Sequence, residues 1–110
     1  MVKYKEVQIG QTFYALSDDT RRALLERLCK NSPLSILELA EPFDISLPAV
    51  SKHIKILEKA NLVTRKQDGR THAISFNPEP MVEASGWLDK YQKFWDQKLL
   101  ALEEYLNKQK

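Results

Sequence analysis

Six basic side chains crowd the middle of this 110-residue chain, and their spacing decides what they can touch. Lys52, Lys55 and Lys59 recur every three or four residues, which gathers them along one side of a helix. Arg65, Lys66 and Arg70 bracket Asp68-Gly69, a dipeptide suited to a hairpin turn. Between Ser46 and Ser75 the six face only Glu58 and Asp68, a local charge of +4 on a chain of net charge +2. A basic segment on a near-neutral protein fits a localised contact with a polyanion. The plainer alternative is a solvated lysine-rich face.

A helix must present those lysines. Ser46 is its expected N-cap, and Val50, Ile54 and Leu57 form an apolar stripe opposite the lysines. Asn61 is an acceptable residue just past its end. The first turn reads Leu47-Pro48-Ala49, where a capping box would place a glutamate third. Pro48 costs little there, because its missing N–H has no partner within the helix. Ala49 leaves free of negative charge a helix end whose dipole and unpaired N–H groups attract phosphate.

Ser46, Pro48, Ser51, Lys52 and Lys55 are therefore the helix residues expected to touch DNA, with Leu47 beside them. Lys52 and Lys55 suit guanine edges and phosphates equally. Leu47 reads either as a contact to a thymine methyl or as packing onto the neighbouring helix. Lys59, at the far end, reads as solvated. Arg65, Lys66 and Arg70 are the expected contacts from the hairpin. Arg70 leads them, since it leaves the turn beside Gly69 and suits a narrow minor groove. Thr20 and Arg21 are further candidates for the DNA backbone.

The remaining elements frame this pair. Val7, Phe13, Tyr14 and Leu16, interrupted by Gly10, predict a first helix that ends near "LSDD". Asp18 caps a second helix, "TRRALLERLCK", which stops at "NSP". Ser35 and Glu38 have capping-box spacing and open a short helix closed by Pro42, with Asp44 as a left-handed turn residue. "LVTRK" and "THAISF" are the two strands of a hairpin.

After "NPEP" one helix runs from about Met81 to Leu106, roughly 39 Å long at about 1.5 Å per residue. Trp87, Tyr91, Phe94, Trp95 and Leu102 belong to an apolar face roughly 140° wide, with Lys98 as its polar interruption. Part of that face must pack within its own subunit. The surplus favours a seam between two copies, with Tyr91, Phe94 and Trp95 buried there.

The expected architecture is mainly α (α+β): a winged helix-turn-helix with a two-stranded wing and a long C-terminal dimerisation helix. One domain spans 1–110, with the helix-turn-helix and wing at 17–76 and dimerisation helices at 1–16 and 79–107.

Several function classes are disfavoured. No Ser/His/Asp, Cys/His or paired-carboxylate set accompanies a Gly-rich loop, so no enzyme is expected. The apolar runs are too short to span a bilayer, and the N-terminus lacks the pattern of a secretory signal. Lone Cys29 excludes an intrachain disulfide or a cysteine-rich zinc site and reads as a core residue. These features point to the cytoplasm. His53 reads as a packing histidine, and His72 faces solvent or phosphate.

The stretches "FYALSDDTRRALLERL", "ILELAEPFDISLPAVSKHIKILEKANLVTRKQDGR" and "WLDKYQKFWDQKLLALEEYL" together resemble the ArsR/SmtB-like winged-helix transcription regulators. More narrowly, they resemble the subgroup with a LAEPFD(M/I)SLPAVSKHL core and an aromatic-rich last helix. The resemblance implies a homodimeric repressor, bound to an imperfect palindrome in double-stranded operator DNA. It maps the recognition helix onto Leu47–Lys59 and the wing onto Arg65–Ser75. It also places the dimer interface on the first and last helices, at Phe13, Tyr91, Phe94, Trp95 and Leu102.

The family includes metal sensors, but their ligands have no counterparts here. "SILEL" lacks the Cys-x-Cys of one sensing pattern, and residues 81–110 lack the histidines of another. No cofactor or metal is therefore expected, and an effector stays open because no side-chain chemistry selects one. The competing reading is a winged helix that binds proteins without specific DNA binding. It would be expected to lose the basic groove face and wing, and both are present.

Overall fold

The computed structural model describes residues 4–109. Five helices and a small sheet follow in order: α1 (Tyr4–Leu16), α2 (Asp19–Lys30), β1 (Leu34–Ser35), α3 (Ile36–Ala40), α4 (Leu47–Lys59), β2 (Val63–Asp68), β3 (Thr71–Phe76) and α5 (Glu79–Lys108). Short-range chemistry sets most boundaries. Asp18 accepts the Arg21 N–H at 3.0 Å to open α2. Ser35 and Glu38 form a complete capping box at α3.

Helix α4 ends in a left-handed turn at Asn61, φ 59°. The Asn61 N–H bonds the Glu58 carbonyl and the Leu62 N–H bonds that of Leu57, so a Schellman turn satisfies two terminal carbonyls. Leu57 and Leu62 are both fully buried beside it.

Leucines of α2 (Leu24, Leu28), Leu39 of α3, and Val50, Ile54 and Leu57 of α4 meet in one core with Leu62 and Ile74. That core locks α4 by its apolar stripe and leaves the opposite face outward. Among the described residues, no helix is long and apolar enough to cross a membrane.

The structure extends two expectations, on the sheet and the start of α5, and corrects two, on Asp44 and Cys29. The sheet has three strands, in order β1-β3-β2, because Leu34 and Ser35 pair with Ile74 and Ala73. Two residues are too few to show an alternation of side chains. Helix α5 begins at Glu79, since Pro80 sits within its first turn, where proline is tolerated. Asp44 is not left-handed: Asn61 is the one non-glycine residue with positive φ among those described. Cys29 is exposed, because it falls off the face that carries Leu24, Leu25 and Leu28 into the core.

Only the start of α5 packs on the rest of the chain. Pro80 and Ala84 are buried, and Phe13 meets the Trp87 ring edge-on with centroids 5.9 Å apart. Every α5 side chain described beyond Ala84 is exposed, and the molecule extends over 70 Å along its longest axis.

Candidate nucleic-acid interface

The N-terminal turn of α4 stands clear of the core. Ser46 turns its hydroxyl inward to accept the Ala49 N–H at 3.2 Å, which caps the helix. Leu47 is 44% exposed and Pro48 is exposed beside it, with no acidic side chain in the turn. Lys52 and Lys55 are exposed, Ser51 is half-buried, and Lys59 is exposed at the far end. The outward surface of α4 therefore joins a positive helix end to a row of ammonium groups, which is chemistry for phosphate.

The hairpin divides its basic residues between two faces. Arg65 pairs with Ile74 and Lys66 with Ala73 in the antiparallel register. Directly opposed residues share a face, and Ile74 is fully buried, so Arg65 points inward with it. There its Nη2 and Nε reach Glu58 Oε1 of α4 at 2.6 and 3.2 Å, and its Nη1 lies 3.4 Å from His72 Nδ1. Lys66 takes the outer face. Arg70 stands exposed at the tip beside Gly69, whose φ of +63° suits the first residue of a two-residue hairpin turn. The structure thus brings Ser46, Leu47, Pro48, Ser51, Lys52 and Lys55 together, leaves Lys66 and Arg70 free on the wing, and occupies Arg65.

Arg21 is not available to DNA. It is 7% exposed and donates to the Ala15 and Tyr14 carbonyls at 2.7 and 3.1 Å, holding the end of α1 against α2. Its guanidinium also covers the Tyr14 ring at 5.4 Å. His53 of α4 packs against this arginine at 3.5 Å and lies 3.9 Å from Asp18 Oδ2, so it is a packing histidine tied to the α2 cap.

Two residues the sequence did not single out frame the site. Glu58 sets the direction of Arg65, and Gln8 of α1 donates to the Ala60 carbonyl at the end of α4. Neither belongs to a local motif. Each acts across elements that only the fold brings together.

Comparison with known proteins agrees with this geometry. A helix-turn-helix domain family matches residues 16–66. The chain is 37% identical over 84 residues to YuzN of Bacillus subtilis, an uncharacterised HTH-type transcriptional regulator, covering 70% of this chain and 91% of that protein. It is 31% identical over 80 residues to the transcriptional repressor SdpR of the same organism, covering 73% of this chain and 88% of that one. The crystal structure of an ArsR family transcriptional regulator superposes with a TM-score of 0.77 at 38% identity, over 87% of this chain and 97% of that one.

The chain belongs to the ArsR family.

As an ArsR-family protein it is a DNA-binding transcription regulator on a winged helix-turn-helix. Helices α3 and α4, joined by a tight turn, make up the helix-turn-helix, and β2 and β3 form the wing. The family's winged helix carries the long last helix found here as α5.

Proposed function

We propose that this protein is a homodimeric repressor that reads an imperfect palindrome. Two copies of α4 enter successive major grooves about 34 Å apart. The observation that carries this reading is the exposed, acid-free first turn of α4, with Lys52 and Lys55 outward beside it. Ser46, Leu47, Pro48, Ser51, Lys52 and Lys55 line the groove side, and Lys66 and Arg70 reach the flanking backbone or minor groove. Arg65 contributes from behind, through the wing.

The second copy follows from α5. A face that carries Tyr91, Phe94, Trp95 and Leu102, all exposed on one subunit, is larger than a monomer tolerates in water. Packed on its two-fold mate it becomes a core, and Phe13 and Trp87 join that core to α1. The name of SdpR as a repressor favours repression over activation. The reading assigns no metal to the site.

The test is selection from a pool of random duplexes, followed by gel-shift titration of the enriched sequence against an unselected one. Enrichment of a two-fold related motif, bound at least a thousandfold more tightly than random duplex, is the expected result. Equal affinity for every duplex would sink the repressor reading.

A further inference from the structure

Glu58 is the one carboxylate on α4, and its position is unfavourable twice over. It stands in the last turn, where the helix dipole already presents negative charge, and it rides on the helix offered to a polyanion. Neither the helix nor the DNA explains it. Arg65 does. Both side chains are mostly buried, with 31% of Glu58 and 23% of Arg65 accessible, and Arg65 Nη2 and Nε converge on a single Glu58 oxygen.

The strand register fixes which arginine takes part. Arg65 shares the inner face with Ile74 and His72, while Lys66, one residue on, points the other way. The pair therefore spans the gap between the recognition helix and the wing, two elements otherwise joined by the Asn61 turn and by core contacts nearer the base of the hairpin. Partly buried charge-assisted bonds of this kind hold orientation better than exposed ones.

We propose that Glu58 is a specificity-determining positioning residue. By holding Arg65 it sets the angle of the wing on α4, and it withholds one cation from non-specific contact with phosphate. The wing tip, with Lys66 and Arg70, then meets DNA in one pose relative to the groove helix. Released, Arg65 would reach for any phosphate, which adds affinity without adding sequence information.

This inference rests on the repressor reading above, and the experiment separates the two. Glu58→Gln, Arg65→Gln and the double variant are titrated against the duplex selected by the wild type and against random duplex, across a range of salt. Glu58→Gln should bind random duplex several-fold more tightly and lower the specific-to-random ratio about tenfold. Its salt dependence should steepen by about one ion per subunit as Arg65 becomes a phosphate contact. Arg65→Gln should lower the ratio while keeping the wild-type salt slope, and the double variant should match it.

Thermal melts check that each variant is folded. Arg65→Gln carries its own prediction should Glu58→Gln fail to fold. An unchanged ratio and slope in Glu58→Gln, or a slope about one ion shallower in Arg65→Gln, overturns the proposal. If the wild type itself prefers no duplex, the repressor reading fails instead.

Discussion

Gln8 and Asn61 hold one another across the junction of α1 and the recognition helix. Asn61 Nδ2 donates to Gln8 Oε1 at 3.0 Å, while Gln8 Nε2 donates to the Ala60 carbonyl at 2.8 Å. Asn77, just before α5, adds a third hold: its Nδ2 donates to the Asn61 carbonyl at 2.8 Å and its N–H to the Leu62 carbonyl at 2.9 Å. The end of α4 is thus pinned to α1 and to the segment that leads into α5. Gln8→Ala leaves a buried carbonyl short of a partner and should cost about 1–3 kcal/mol in urea unfolding. Asn61→Ala loses the side-chain bond and also strains a left-handed residue, by roughly 1–2 kcal/mol. Asn61→Gly removes that strain, so it should be the more stable of the two; the reverse order would contradict this account of the turn.

The exposure of Leu47 separates its two readings. It lies outside the buried core and is 44% accessible, which favours the base contact over packing onto the neighbouring helix. Leu47→Ala should leave unfolding stability within about 0.5 kcal/mol of the wild type, as surface changes do. Binding to the selected duplex should weaken about fivefold, the equivalent of roughly 1 kcal/mol for one lost base contact. A large drop in stability with unchanged binding would restore the packing role.

In the proposed complex Lys52 and Lys55, both exposed on α4, carry the electrostatic part of the groove contact. The double change to alanine should weaken binding roughly a hundredfold, at about 1 kcal/mol or more for each contact. If both reach phosphates, the salt slope should fall by about two ions per subunit. Sedimentation of the double variant should match the wild type, since neither lysine lies near α5. Normal DNA binding by this variant would mean that the groove-facing side of α4 has been misassigned.

Features set within four residues were legible in the sequence, and features set by register were not. The caps at Asp18, Ser35 and Ser46 follow from a hydroxyl or carboxylate placed three residues before an N–H, a relation no distant element alters. The apolar stripe of α4 was legible for a similar reason, because helical periodicity alone gathers Val50, Ile54 and Leu57. Arg65 and Lys66 look equivalent as a dipeptide. A one-residue difference in a strand sends them to opposite faces, and only the pairing with Ile74 and Ala73 tells which turns inward. Arg21 likewise reads as an exposed cation at a helix start until the end of α1 folds over it.

Acid should loosen the helix starts. The Arg21 N–H beside Asp18 holds its carboxyl below the ordinary aspartate value of 3.8, with His53 and Arg21 charge adding to the effect. The Ser35 backbone N–H does the same for Glu38, below 4.5. A carboxyl depressed in the fold contributes its full stability above its unfolded pKa and loses it as pH falls through the folded value. Wild-type stability should therefore decline below about pH 4. Asp18→Asn and Glu38→Gln should be less stable near neutrality, with the gap to the wild type closing as pH approaches about 2. Urea midpoints measured down that range check the sign; a gap that widens in acid would contradict it.

The proposed seam on α5 makes the last prediction. Trp95 is 59% exposed and Leu102 lies two turns further along the same face, both far from the subunit's own core. Trp95→Glu should place a carboxylate within the proposed interface, where a two-fold mate would bring it near its own copy. Like charges desolvated together cost several kcal/mol, enough to dissociate the dimer at micromolar concentration. Leu102→Asp should act in the same direction with a smaller effect, being nearer the helix end. Analytical ultracentrifugation should then find a folded monomer, because the core of Leu24, Leu28, Ile54 and Leu57 does not involve this face. DNA affinity should collapse with dimerisation, since one α4 contacts one half-site and the second contact is no longer intramolecular. A dimer that survives Trp95→Glu would move the interface off this stripe and leave the exposed aromatics to another partner.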